Sequence, residues 1–528
     1  MMHKKHAIQA MLDSKPHLRP YLFRYGFVLT DGPLAASGYP FYDAWTPVSL
    51  PGLRGLIHPD QTFYRADCGS TTCFLIGHAY DPFDMEHREA ILLERLARAA
   101  EPERRQLIDQ LTGVFTLGLI DGGRLRLYCD CAGMQSCCYG TIGGSLYITS
   151  HMQLVGDLCD LEQSDYVRRL TAYRFYRYYG AFLPGDLSSY AELKRLVPNT
   201  HVTFRDGDWI LERFYPHTPI GHTKADAEYR ETICRIAGIL NRTMDLIAQK
   251  WQAPAISMTG GMDSKATLAA AHGLYDRFRY FSYVSMPGEQ PDADAAHKIA
   301  AALGIDHRVD RIPDRDAAFD DLQEIASLLC HNFGNIGPVN ANDVRKRAYY
   351  AQAENRHFDV EVKSWVSEIG RANYYKKFGL RRMPRHLSPR HMTSMYKLFL
   401  HDRTLVRQTD EIFADYIRRT DFHRDMGLDE SDLYLWEIRY GSWGGQVITC
   451  EHKFSFDITV PYNNRLLMEL FLTLPLERRI SDQVHYDLIR ELEPVIDATG
   501  ITITNHNETK ARMYKEKLYF LIHSILPF

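Results

Sequence analysis

One short stretch, Thr259-Gly260-Gly261-Met262-Asp263-Ser264, most narrows what this chain can fold into. An apolar run at 253–258 precedes it, and Lys265-Ala266-Thr267-Leu268-Ala269-Ala270-Ala271 follows. The order reads as strand, tight glycine loop and helix N-terminus. Two glycines allow close backbone approach and φ > 0 without a Cβ clash. Thr259 and Ser264 add hydroxyl donors. A helix opening near Ser264 aims free N–H groups and its positive dipole end at the same point. Asp263 would repel a bare pyrophosphate, so its expected task is to hold Mg²⁺ beside one. Together these parts predict a pyrophosphate cradle.

Length and composition frame that loop. A chain of 528 residues exceeds one ordinary core and predicts two to four domains. Hydrophobic residues make up 45% and charged residues 24%, a globular balance. The net charge of −4 advertises neither nucleic acid nor an anionic membrane. No apolar run of spanning length occurs and the N-terminus carries no signal core, so a cytoplasmic protein is expected. Cys129, Cys131, Cys137 and Cys138 cluster in sequence, but their spacing lacks the paired knuckles of structural zinc, and buried reduced thiols are expected.

The periodicity changes once along the chain. Residues 1–215 read as strand-rich, with short apolar runs split by turns such as Asp121-Gly122-Gly123, a helix at 89–98 and a closing hairpin at Asp206-Gly207-Asp208. This predicts an α+β layered domain. Residues 225–528 open with an amphipathic helix at 227–249, with Ile233, Ile236, Ile239, Leu240 and Met244 on one face. Strands are then expected at 280–285, 308–312 and 360–365, and helices at 292–303 and 317–329. The alternation predicts a doubly wound, mostly parallel sheet with its ligand outside the strand C-termini. From 380 to 528 the pattern reads as helical.

The loop resembles the SGGxDS loop of the ATP pyrophosphatases, with Thr259 in the first position. Over most of its length the chain looks like an asparagine synthetase-type protein. The residues that carry this are Phe115-Thr116-Leu117-Gly118-Leu119-Ile120-Asp121, Leu127-Tyr128-Cys129-Asp130-Cys131-Ala132-Gly133, Leu196-Val197-Pro198-Asn199, Leu303-Gly304-Ile305-Asp306-His307 and Val460-Pro461-Tyr462-Asn463. The resemblance implies an N-terminal Ntn-hydrolase-like α/β/β/α domain (1–215) and a C-terminal ATP pyrophosphatase domain (225–528). It also implies ATP and Mg²⁺, and amide formation through an acyl-adenylate. The partners implied are a small-molecule, sugar-acid or peptide carboxylate and an amine or ammonia donor. Whether the chain forms a homodimer stays open.

Three departures from that family pattern stand out. The glutamine-using members expose an N-terminal Cys as nucleophile; here Met2 and His3 follow Met1 and no Cys precedes Cys68. No glutaminase activity is expected, as in the similar β-lactam synthetases and lasso-peptide cyclases. The family's second phosphate loop corresponds to Ser367-Glu368-Ile369-Gly370-Arg371-Ala372-Asn373. Glu368 is expected as the base for an incoming amine or as a Mg²⁺ ligand, and Arg371 as a direct phosphate contact. The late family Lys is missing from His485-Tyr486-Asp487-Leu488-Ile489-Arg490, and Lys510 is the substitute named, ahead of Lys515 and Lys517. Met258, Ser285 and Met286 are expected beside the adenine, and Tyr374, Tyr375 and Trp443 in an acceptor pocket. Three rivals stay open: an intramolecular amide cyclase, a nucleotide-binding protein without catalysis, and a tRNA-modifying enzyme.

Overall fold

The computed structural model describes residues 2–173, 176, 182–223, 225–396, 402–501 and 509–526. Strands between residues 27 and 213 build two antiparallel sheets. The first contains β1 (Phe27–Thr30), β2 (Thr46–Leu50) and β3 (Leu53–Ile57). The second contains β4 (Phe63–Cys68), β5 (Thr71–Tyr80), β6 (Thr112–Asp121) and β7 (Arg124–Cys129). The chain returns to the first sheet with β8 (Cys138–Ile142), β9 (Ser145–Thr149) and β10 (Leu193–Arg195), then closes the second with β11 (Thr200–Arg205) and β12 (Asp208–Arg213). The orders are β10-β8-β9-β1-β3-β2 and β12-β11-β7-β6-β5-β4.

Side-chain alternation sets the layers. Phe27 and Leu29 of β1 meet Phe74 and Ile76 of β5 between the two sheets. The opposite face of β5, with Cys73 and Leu75, packs on Leu92, Leu93 and Leu96 of the helix Glu89–Arg98. The opposite face of β1, with Val28, packs on Leu154 and Val155 of the helix Met152–Leu158. Helix, sheet, sheet and helix therefore stack in that order. The β11–β12 hairpin turns on Asp206 (φ 52°) and Gly207 (φ 92°), the double left-handed pair that matches strand twist.

The third sheet is entirely parallel: β13 (Pro254–Ser257), β14 (Arg279–Val284), β15 (Arg308–Arg311), β16 (Val360–Val362) and β17 (Asp457–Thr459), in the order β15-β14-β13-β16-β17. The 25-residue helix Asp226–Lys250 leads into it. Strand order reverses between β13 and β16, so their successors leave in opposite directions and open a crevice at their C-terminal ends. The fold is thus a layered antiparallel unit joined to a doubly wound parallel one. No described helix is long and apolar enough to cross a membrane.

Three expectations need correction. The segment from 380 is not purely helical, because β17 adds the fifth parallel strand; three residues are too few to show a period of two. The helix placed at 317–329 begins at Leu322, after a 3₁₀ turn at Asp316–Ala318. Neither Gly260 nor Gly261 adopts positive φ, and Gly261 sits at φ −70° as the N-cap. The clustered cysteines diverge: Cys131, Cys138 and the pair Cys129 and Cys137 enter three different hydrophobic clusters. Burial pushes the Cys129 and Cys138 thiols up to about 12.

Candidate functional site

The two strands at the crevice each deliver a loop. After β13 the 259–264 loop runs into the helix Met262–Ala270. Its N–H groups are directed at oxygens: Thr259 N–H donates to Ser264 Oγ (2.9 Å), Gly260 N–H to Asp292 Oδ1 (3.2 Å) and Gly261 N–H to Thr259 Oγ1 (3.1 Å). Asp292 heads the next helix, Gln290–Leu303, so the second crossover braces the first loop. Met258 is fixed by its own backbone, donating to Phe281 O (2.8 Å) and accepting from Ser282 Oγ (2.7 Å). Lys265 is buried, donates to Ile501 O (2.7 Å), and has its pKa lowered by burial.

After β16 the chain forms a 3₁₀ turn, Ser367–Arg371, between two left-handed residues, Val366 (φ 78°) and Ala372 (φ 50°). A β-branched residue in that region is strained, and such strain clusters at functional sites. The turn faces the first loop. Ser367 Oγ donates to Asp263 Oδ1 (2.5 Å), and Arg371 Nη1 donates to Asp263 Oδ2 (2.5 Å). Arg371 Nε also donates to Asp482 Oδ1 (2.8 Å), which accepts from Lys376 Nζ (2.6 Å) as well. His485 Nε2 lies 3.6 Å from Asp263 Oδ1, with its ring stacked on Phe471. Burial holds His485 down to about 4, so the ring is neutral at pH 7.

Glu368 is half-buried at the same point and accepts a hydrogen bond from Tyr440 Oη. Burial is the main cause that pushes its carboxyl up to about 7, and the charge of Asp263 adds to it. Tyr440 belongs to a ten-residue π-helix, Leu435–Gly444. Rare π segments recur at functional sites. A cavity of about 230 Å³ opens beside Glu368, walled by Tyr374, Tyr396, Arg439, Tyr440 and Trp443. Trp443 stacks on Trp365 at 5.0 Å.

The structure brings Thr259, Gly260, Gly261, Asp263, Ser264, Glu368 and Arg371 into one crevice, with Met258 at its floor. Arg371 stands between two carboxylates rather than free in the crevice. Tyr374 and Trp443 line the cavity, whereas Tyr375 turns away to donate to Asp429 (2.5 Å). Ser285 spends its N–H and hydroxyl on Glu289 Oε2 (2.8 and 2.7 Å), and Met286 beside it is exposed. Lys510 opens the helix Lys510–Ile525 with an exposed side chain, and no described contact joins it to either loop. Lysines at the site are instead Lys265 and Lys376. Sequence reasoning also missed Tyr440, Asp482 and Ser367 as partners. Asp482 lies three residues before His485, just outside the segment compared for its missing lysine.

A hard dication needs oxygen donors. Asp263 and Glu368 supply two carboxylates, and the Ser367 hydroxyl is in contact with Asp263. Asp263 raises the pKa of Glu368, the repulsion a cation would relieve. The donor set fits Mg²⁺.

No protein-family model and no curated protein matches this sequence. Three solved structures show a distant likeness. One is the glutamine phosphoribosylpyrophosphate amidotransferase from B. subtilis complexed with ADP and GMP, at 11% identity over 56% of this chain and 61% of that one, with a TM-score of 0.23. Another is described as the allosteric regulatory enzyme of purine biosynthesis, at 11% identity over 55% and 61%, with a TM-score of 0.24. The third is the glutamine-dependent NAD+ synthetase from Acinetobacter baumannii in complex with ADP, at 14% identity over 44% and 51%, with a TM-score of 0.20. The chain spans between half and about three-fifths of the length of these proteins. At such scores the likeness carries no weight, and the chemistry is read from the crevice alone.

Proposed function

We propose that this protein is an ATP-dependent amide-forming ligase that works through an acyl-adenylate and draws no ammonia from glutamine. The observation that carries the reading is the meeting of two loops on Asp263 at the switch point of a parallel sheet, beside a half-buried carboxylate poised near neutrality.

In this scheme the 259–264 loop and the helix behind it hold the β and γ phosphates of ATP. Asp263 would hold Mg²⁺ beside them, which would supply charge neutralisation at the phosphates. The substrate carboxylate attacks the α phosphorus; the new C(O)–O–P bond forms as the α–β bridging P–O bond breaks, and pyrophosphate leaves. Arg371 and Lys376 supply positive charge on the side where pyrophosphate builds up. An amine then attacks the acyl carbon, Glu368 takes its proton, and AMP leaves with the C–O bonding pair. Tyr440 fixes the orientation of Glu368 through its hydroxyl. A base with a pKa close to the working pH suits this step.

The thiols of Cys73, Cys129, Cys131, Cys137 and Cys138 in the antiparallel unit are buried, and burial raises the pKa of each, which disfavours a nucleophilic thiolate and supports the loss of glutaminase chemistry. In this scheme the amine comes from solution or from the substrate itself. In the second case the product is a ring, the reading related to the β-lactam and lasso cyclases.

The test is product identity. With ATP and a panel of acids and amines, the purified chain should release AMP and pyrophosphate by mass spectrometry; release of ADP would overturn the adenylation scheme. Asp263→Asn should abolish AMP release with an unchanged circular dichroism spectrum. Steady production of glutamate from glutamine would refute the absence of glutaminase activity.

A further inference from the structure

We propose that the cavity beside Glu368 binds an acid carrying a second carboxylate on an aromatic or apolar body, and that Arg439 recognises this second carboxylate. The inference rests on the ligase reading and names the substrate class of that site.

The π-helix builds the wall. Its i→i+5 hydrogen bonding widens each turn, so Leu435, Arg439, Tyr440 and Trp443 all reach the cavity. Arg439 lies with its guanidinium carbon 4.7 Å from the Phe182 ring centroid and 4.2 Å from that of Trp443. Its N–H groups meet no acceptor among the described residues. The buried side chains of Arg213, Arg465 and Arg479 by contrast donate to Glu437, Cys129 O and Asp432. A half-buried guanidinium that lines a cavity and meets no anion is open to one that enters it. Burial lowers the pKa of Arg439. A planar fork with stacked faces leaves its edge for bidentate recognition of a carboxylate.

The walls define the rest of the ligand. Tyr374, Tyr396, Tyr440 and Trp443 surround the space with aromatic surface that a short hydrophilic diacid would not cover. Glu368 joins this space to the phosphate crevice, since it lines the cavity and feels the charge of Asp263. An acid placed here presents one carboxylate toward the nucleotide and the other to Arg439.

Phenylsuccinate and 3-phenylpropanoate differ only by the second carboxylate and serve as the probes, titrated calorimetrically into the full-length chain saturated with ATP. Phenylsuccinate should bind at least tenfold tighter. Arg439→Gln should remove that preference while keeping ATP affinity, and Arg439→Lys, which keeps the charge but not the fork, should retain a smaller preference. Equal or absent binding of the two acids to the ATP-saturated wild type overturns the inference, as does a preference that survives in Arg439→Gln. Failure of the wild type to bind ATP at all overturns the ligase reading instead.

Discussion

Glu368 shows how position sets chemistry at the scale of one residue. Burial and the charge of Asp263 raise its proton affinity, and the Tyr440 hydroxyl lowers it again. A base acts only when deprotonated. The amide-forming rate should therefore climb as pH rises through about 7, read by single-turnover AMP release at saturating substrates. Glu368→Gln should flatten that profile and slow the step by about 10²–10⁴-fold. Tyr440→Phe removes a hydrogen bond to the charged form, so its profile should shift to higher pH; a shift to lower pH would contradict the assigned role. The sequence pointed to Glu368 because it stands in a recognisable second loop. Tyr440 was hidden, since it lies 72 positions away in no motif. The Arg371–Asp263 contact spans 108 positions; both residues were legible, but not their pairing, which only strand order between β13 and β16 creates.

Among elements, the regular ones were legible and the irregular ones were not. The long helix and the β11–β12 hairpin follow from an apolar stripe and an Asp-Gly-Asp turn. The π-helix carries no sequence signature that separates it from an α-helix, yet it shapes the cavity. Its two exit glycines differ in steric demand. A Cβ on Gly445 would lie 1.9 Å from Gly133 O, a backbone atom that cannot yield, whereas one on Gly444 would meet the flexible Met134 Cε at 3.0 Å. Gly445→Ala should thus destabilise by about 3 kcal/mol or more and Gly444→Ala by less than half of that, measured by urea denaturation; equal losses would show that the close backbone approach is not limiting.

At the scale of the molecule, charged groups buried between the antiparallel unit and the parallel unit join the two. Arg213 closes β12 and donates through two nitrogens to Glu437 of the π-helix, with side-chain exposures of 1% and 0%. Asn199 Nδ2 also donates to Glu437 (3.1 Å). Removing one partner strands a buried charge, so Arg213→Met should cost about 3–5 kcal/mol. Pairing it with Glu437→Met should recover part of the loss, as read from denaturation midpoints. A loss under about 1 kcal/mol would mean that water reaches the pair. None of this was visible in sequence, because the partners lie 224 positions apart.

The seam has a practical reach. Trp436 donates its indole N–H to Cys131 O (2.8 Å), Asn463 donates to Gly113 O (2.6 Å) and Asp130 Oδ1 (2.8 Å), and Arg465 leans on Cys129 O (2.9 Å). A shortened protein starting at the long helix would leave these groups facing water or nothing. The antiparallel unit therefore braces the floor of the parallel one, and dissecting the two for separate expression should yield aggregates, which size-exclusion chromatography would show.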